Sequence, residues 1–212
     1  SMQSMNKPAT LSANKSLKAL NSDDINKSRL DIIAERGTIK VGYFKATLPY
    51  AFRNNNNVVV GFDMEMLNEL AKDLELKLEI IYVKNRQDAA ELLANGSLDI
   101  SVGGQAITPQ NALKFTFSDT YSHHTAGLLL LDSKRDKLSD LYTLQSKEDL
   151  KLGITGDGYY KRYTEEFFPK AEMIDVTNIR DFLKGKNPDI DAMLYSTESG
   201  SAWSMLYPEY SV

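Results

Sequence analysis

The chain has 212 residues, with 25 lysines and arginines against 29 aspartates and glutamates, a formal net charge of −4. That balance leaves no basic surplus to neutralise phosphates, which speaks against nucleic acid as a main partner. Cysteine is absent, which excludes disulfides, thiolate nucleophiles, iron–sulfur clusters and Cys-ligated zinc, and fits the cytosol and a bacterial periplasm equally. No apolar run approaches the length that spans a bilayer, and the longest pure one, Leu128 to Leu131, is strand-sized.

The length allows one large domain or two small lobes, each able to bury a core. Ser1–Met5 reads as a cloning-derived start; it lacks the basic-then-apolar pattern of a signal peptide. Residues 6 to about 28, rich in Ser, Asn and Lys, read as a linker or a weakly helical arm. Leu30, Ile32, Ile33 and Ala34 predict a short helix that Gly37 ends. Ile39–Tyr43 is a strand, Pro49 lies in a loop, and Asn54–Asn57 is a turn. Val58–Val60 leads through Gly61-Phe62-Asp63 into a helix marked by Met66, Leu67, Leu70, Ala71 and Leu74. Asp63 suits the first turn of that helix, where an acid favours the dipole. Leu78–Val83 is a strand, Ala89–Ala94 a helix stopped by Asn95-Gly96, and Leu98–Val102 a strand running into Gly103-Gly104.

Leu128–Leu131 is a buried strand or a crossing segment, and a second series follows it. Strands are expected at Lys151–Thr155, Glu172–Val176 and Ile190–Tyr195. Helices are expected at Tyr159–Phe168, Asn178–Lys184 and Ser199–Leu206, with Gly156-Asp157-Gly158 before the first. This alternation predicts two α/β units, each a mostly parallel sheet flanked by helices. Ligands in such folds bind at the carboxyl ends of strands.

These segments carry a pattern. Ile39-Lys40-Val41-Gly42, Pro49-Tyr50-Ala51-Phe52, Val60-Gly61-Phe62-Asp63 and Asn95-Gly96-Ser97-Leu98-Asp99 come in order. Ile107-Thr108-Pro109 and Phe117-Ser118-Asp119-Thr120-Tyr121 follow. The set resembles the type II periplasmic solute-binding proteins of the polar amino-acid uptake family, the bacterial extracellular solute-binding proteins of family 3, from about Thr38 to Val212. Gly158-Tyr159-Tyr160, Glu198–Trp203 and Leu206–Val212 resemble a narrower branch fused to dicarboxylate/amino-acid:cation symporters.

The resemblance implies a two-lobed flytrap closing on a small solute in an interlobe cleft. On that reading residues 1–28 are tag and arm, 29–127 lobe 1, 128–132 a hinge crossing, 133–207 lobe 2, and 208–212 a return crossing. The C-terminal part of lobe 1 is then missing, which implies exposed apolar surface and a possible dimer through the incomplete lobe. Amino-acid binders of the family clamp the α-carboxylate with an Arg where this chain has Asn111, and use a hydroxyl residue where it has Ala106. The acidic residue expected to take the α-ammonium is replaced by Ser196, with Glu198 two residues on. The fold therefore transfers, whereas amino-acid specificity does not follow.

Each candidate has a plainer reading beside its functional one. Gly103 and Gly104 bring backbone N–H groups to an anion, or simply form a tight turn. Gln105 and Asn111 offer neutral amides to a solute, or are solvated. Tyr50 and Phe52 cover the ligand with an aromatic ring, or belong to the core, Phe52 more readily than Tyr50. Tyr159 and Tyr160 orient an anion at a helix start, or pack as a pair. Glu198 accepts from a ligand cation, or serves its own helix. Trp203 reads as a core or hinge anchor. His123 and His124 point to opposite sides of an extended chain and make poor co-ligands for a metal. Lys134–Lys137 reads as a solvated loop. No nucleophile elbow, Walker loop or His-Glu-x-x-His motif occurs, so no enzyme, metal or cofactor is expected.

The expected function is an extracytoplasmic, periplasmic solute-binding domain that captures a small polar solute (an amino acid, a dicarboxylate or a relative) for a membrane transporter, fused or separate. Two alternatives keep the fold: a sensing or protein-interaction domain with a degenerate solute site, and a small-acid dehydratase.

Overall fold

The structure, a computed structural model, describes residues 10–11, 18–24, 26–44, 47–156 and 158–212. Ser1–Met5, much of the arm and Asp157 lie outside the described residues. The chain forms two compact units that divide after Asp119.

The first unit is built on one parallel sheet. Its strands are β1 (Thr10–Leu11), β2 (Thr38–Phe44), β5 (Lys77–Val83) and β6 (Ile100–Val102), in the order β1-β5-β2-β6. A hairpin of β3 (Phe52–Arg53) and β4 (Val59–Val60) sits between β2 and α2 (Phe62–Asp73) in the chain. The remaining helices are α1 (Arg29–Arg36), α3 (Arg86–Ala94) and the four-residue α4 (Pro109–Ala112).

Local chemistry sets these boundaries. Ser28 caps α1 by accepting from Asp31 N, and Gly37, at φ 68°, returns its N–H to the Ile33 and Ala34 carbonyls. Asn85 and Thr108 cap α3 and α4 in the same manner. The period of two along β5 divides its side chains between two cores. Ile80 joins Tyr43, Ala51, Val59 and Met64 of α2, whereas Ile81 and Val83 join Ala89 of α3 and Leu98. A second apolar row on α2, Phe62, Met66 and Leu70, with Leu74 following, is exposed. The arm contributes β1, where Thr10 and Leu11 pair in parallel with Glu79 and Ile80.

The second unit holds β7 (Ala126–Leu131), β8 (Lys151–Ile154), β9 (Glu172–Asp175), β10 (Ala192–Ser196) and β11 (Tyr210–Ser211), in the order β11-β7-β10-β8-β9. Its helices are α5 (Leu141–Ser146), α6 (Gly158–Phe167), α7 (Ile179–Leu183) and α8 (Thr197–Ser204). Here the rhythm of the sequence needs refinement, because the sheet is mixed. β10-β8-β9 is parallel, but β7 runs antiparallel to both β10 and β11. The leucine run is therefore a full member of the sheet, with Leu129 and Leu130 buried. The charge run that follows is a 3-10 segment, and it is less free than a solvated loop: Lys134 donates to the Ile190 carbonyl at 3.2 Å and pairs with Asp191 at 3.6 Å. Trp203 is fully buried beneath the Arg180 guanidinium, 5.4 Å from its ring centroid.

Candidate functional site

In the first unit the candidate residues gather at the carboxyl end of β6. Gly103 and Gly104 have φ values of 128° and 61°, a path that side-chain-bearing residues rarely follow. Their consecutive N–H groups donate to one oxygen of Asp63, at 2.8 and 3.2 Å. Asp63 is fully buried. The backbone pair expected to receive an external anion thus already holds an internal carboxylate.

Asp63 reaches this place because α2 begins at Gly61, whose backbone is pressed against the carbonyls of Pro49 and Tyr50. The Tyr50 carbonyl in turn accepts from Asp63 N at 3.0 Å. Tyr50 is itself 5% exposed, and its ring lies over Gly104 so closely that a Cβ there would sit 2.5 Å from Cδ2. Tyr50, Asp63, Gly103 and Gly104 form one packed knot. Phe52 is half-buried on β3, opposite Val60.

The neutral amides flank this knot. The Asn111 side chain is buried on α4 and donates from Nδ2 to the Ala106 carbonyl at 2.9 Å. It closes its own loop, while its backbone N–H goes to Thr108 Oγ1 at 3.1 Å. Gln105 donates from Nε2 to Ser101 Oγ at 3.2 Å. The other end of the Gln105 amide, Oε1, is buried and has no partner among the described residues.

In the second unit Tyr159 and Tyr160 open α6 and meet edge to face, with centroids 5.2 Å apart. Tyr160 stacks on Tyr195 at 6.2 Å and packs against the core of this unit, whereas Tyr159 stays exposed. Burial pushes the Tyr195 hydroxyl pKa upward. Ser196, buried, caps α8 by accepting from Ser199 N at 3.2 Å. Glu198 accepts from Thr125 N at 3.2 Å. His123 and His124 are exposed, and among the described residues no cluster of three or more possible metal ligands occurs.

Sequence reasoning missed the role of Asp63. The available signal was its spacing: residues 63, 67 and 71 share the buried stripe of α2. An acid on that stripe needs a buried partner, which the two glycines supply.

Comparison with known proteins places this architecture. The profile of the bacterial extracellular solute-binding proteins, family 3, matches residues 39–194, more than half of the chain. The chain belongs to this family. The glutamate/aspartate import solute-binding protein of Escherichia coli strain K12 is 30% identical over 149 residues, covering 66% of this chain and 48% of that protein. The membrane-bound lytic murein transglycosylase F of Aeromonas hydrophila is 26% identical over 140 residues, which is 66% of this chain but 28% of that enzyme. The chain thus spans less than half the length of either curated relative. Among solved structures, an ancestral amino acid-binding protein described as a precursor of cyclohexadienyl dehydratase aligns with a TM-score of 0.73. It is 29% identical and covers 84% of this chain and 78% of its own. A Streptococcus pneumoniae substrate-binding protein bound to L-arginine, 23% identical, shares the fold with a TM-score of 0.73 over 88% of this chain and 78% of its own. Among the described residues no helix is long and apolar enough to cross a membrane.

Proposed function

We propose that this chain is an extracytoplasmic solute-binding domain that captures a small polar solute and serves a membrane transporter, separate or fused. The observation that carries the reading is the family match across residues 39–194, which spans the whole turn from Gly103 to Asn111. That turn has the character of a binding surface. It lies at the carboxyl end of a strand in a parallel sheet, where ligands of such folds bind. It is held from behind by Asp63 and covered by an aromatic ring. The service to a transporter rests on the name of the Escherichia coli relative, an import protein.

A second reading has its own support. The Asn111 and Ser196 side chains both bond within their own unit, which suits a domain that senses or docks a partner without capturing a solute. Thermal melting against a panel of amino acids, dicarboxylates, amines and sugars separates the two. Solute capture predicts a concentration-dependent rise in Tm for one class, worth about 2.7 kcal/mol at a hundred times Kd. A flat response across the panel removes solute capture and leaves the interaction domain.

A further inference from the structure

We infer that the cleft between the arm and α1 is a second binding site, for a small dianion, and that its ligand fastens the arm to the first unit. The site lies outside the Gly103–Asn111 turn and stands whether or not that turn captures a solute. The arm returns to the unit at Leu20, whose N–H donates to the Asn95 carbonyl at 2.9 Å. The Leu20 side chain covers Gly96, where a Cβ would come within 2.3 Å of Leu20 Cγ. Gly96, at φ 78°, thus both turns the chain and leaves room for the arm. The cleft beside this contact holds about 320 Å³, within the range of small-molecule sites. Lys18, Asn21 and Asp24 of the arm line it, together with Glu35 and Arg36 of α1 and Lys40 of β2.

The charges of this cleft are unevenly matched. Both acids are held by Lys27, Glu35 at 2.5 Å and Asp24 at 3.8 Å. Arg36 is engaged by the buried Asp99 and by the Thr38 carbonyl. The Lys18 and Lys40 ammonium groups and the Asn21 side-chain amide have no partner among the described residues. Two cations without counter-charges in one concave wall match a ligand that carries two negative charges, and charge-assisted N–H bonds to such a ligand are the strong ones. A monoanion would leave one ammonium unmatched, and a cation would be repelled by both. Lys18 and Asn21 belong to the arm, whereas Lys40 is anchored in the sheet, where Asp99 holds its backbone N–H at 2.8 Å. A dianion that bridges them binds only the docked arm and therefore stabilises that state by mass action.

The probes are inorganic phosphate, glycerol phosphate and succinate, each measured against sodium chloride at the same ionic strength, which separates a specific site from screening. At least one of them should raise Tm and slow hydrogen exchange at the Leu20 N–H. A response to the two phosphates alone assigns a phosphoryl ligand, a response to succinate alone a dicarboxylate, and a response to all three any compact dianion; each supports the inference. Lys40→Met and Lys18→Met keep the aliphatic stem and remove the charge. Each should weaken binding of the responding probe by at least about tenfold and leave the Tm of the unliganded chain in place. Native affinity in both variants overturns the inference, because the dianion then sits elsewhere. A rise in Tm without slower exchange at Leu20 overturns the fastening of the arm. Silence with all three probes removes the site and leaves solute capture at the Gly103–Asn111 turn untouched.

Discussion

Asp63 shows how one side chain decides the shape of a loop. It is an acid on the buried stripe of a helix, and its burial is tolerable because two successive N–H groups aim at the same oxygen. Asp63→Ala leaves both donors facing an apolar core and should cost about 3 kcal/mol, read as a lower urea midpoint. Asp63→Asn keeps an acceptor and should lose less. Tyr195 makes a different kind of prediction. Burial favours its neutral phenol, so its folded-state pKa lies above the unfolded value of 10.0. The resulting stability is complete below about pH 10 and is lost as pH rises through the folded value. Tyr195→Phe keeps the ring that stacks on Tyr160 and removes the ionisable group, so it should flatten the alkaline fall in Tm. Tyr210, whose pKa is also raised by burial, should keep that fall from vanishing.

At the scale of elements, much of the first unit was legible because local rules and tertiary packing agree there. The helix stripe at Ile32 and Ile33 ends at a glycine that adopts the left-handed conformation required of it. The strand at Ile39–Tyr43 is flanked by parallel partners on both sides, which suits its near-continuous apolar run. The pairing of the arm was not legible, since Thr10 and Leu11 lie in a polar stretch and become a strand only because β5 offers an open edge. The direction of β7 was equally hidden, because a buried leucine run reads the same in parallel and antiparallel ladders. The candidate site was half legible: residue types and spacing located the turn, but the internal partners of Gly103, Gly104 and Asn111 depend on tertiary contacts. Asp99 ties elements together in a comparable way. Its side chain is fully buried, bonds Arg36 of α1, accepts from Lys40 N of β2 at 2.8 Å, and faces Arg29 at 3.9 Å. Asp99→Ala leaves the Lys40 N–H without its acceptor and takes the carboxylate from Arg36, which keeps its bonds to the Thr38 carbonyl, and should cost about 1–3 kcal/mol. Hydrogen exchange should then accelerate first in α1, the element that this carboxylate fastens to the sheet.

At the scale of the whole molecule, each unit buries a core of its own. Ile39, Val41, Leu67 and Ala71 centre one, and Leu150, Leu152, Ala192 and Leu194 centre the other. Chains with separate cores need not unfold in a single step, and glycines packed against apolar side chains provide a means of testing this. A Cβ on Gly42 would lie 2.7 Å from Leu98 Cδ1 and 2.9 Å from Val83 Cγ2. A Cβ on Gly153 would press on Met193 and lie 3.2 Å from both Ile190 and Val176. Overpacking of this kind costs about 1–3 kcal/mol, and the larger value is expected at Gly42, where two side chains without Met flexibility must move. Calorimetry of Gly42→Ala should lower one transition and leave the other in place, and Gly153→Ala should do the reverse. The solute sharpens the assignment. A solute bound at the Gly103–Asn111 turn should raise the transition that Gly42→Ala lowers, since both belong to the first unit. If both variants and the solute move one shared transition by the same amount, the two cores unfold as a single cooperative body.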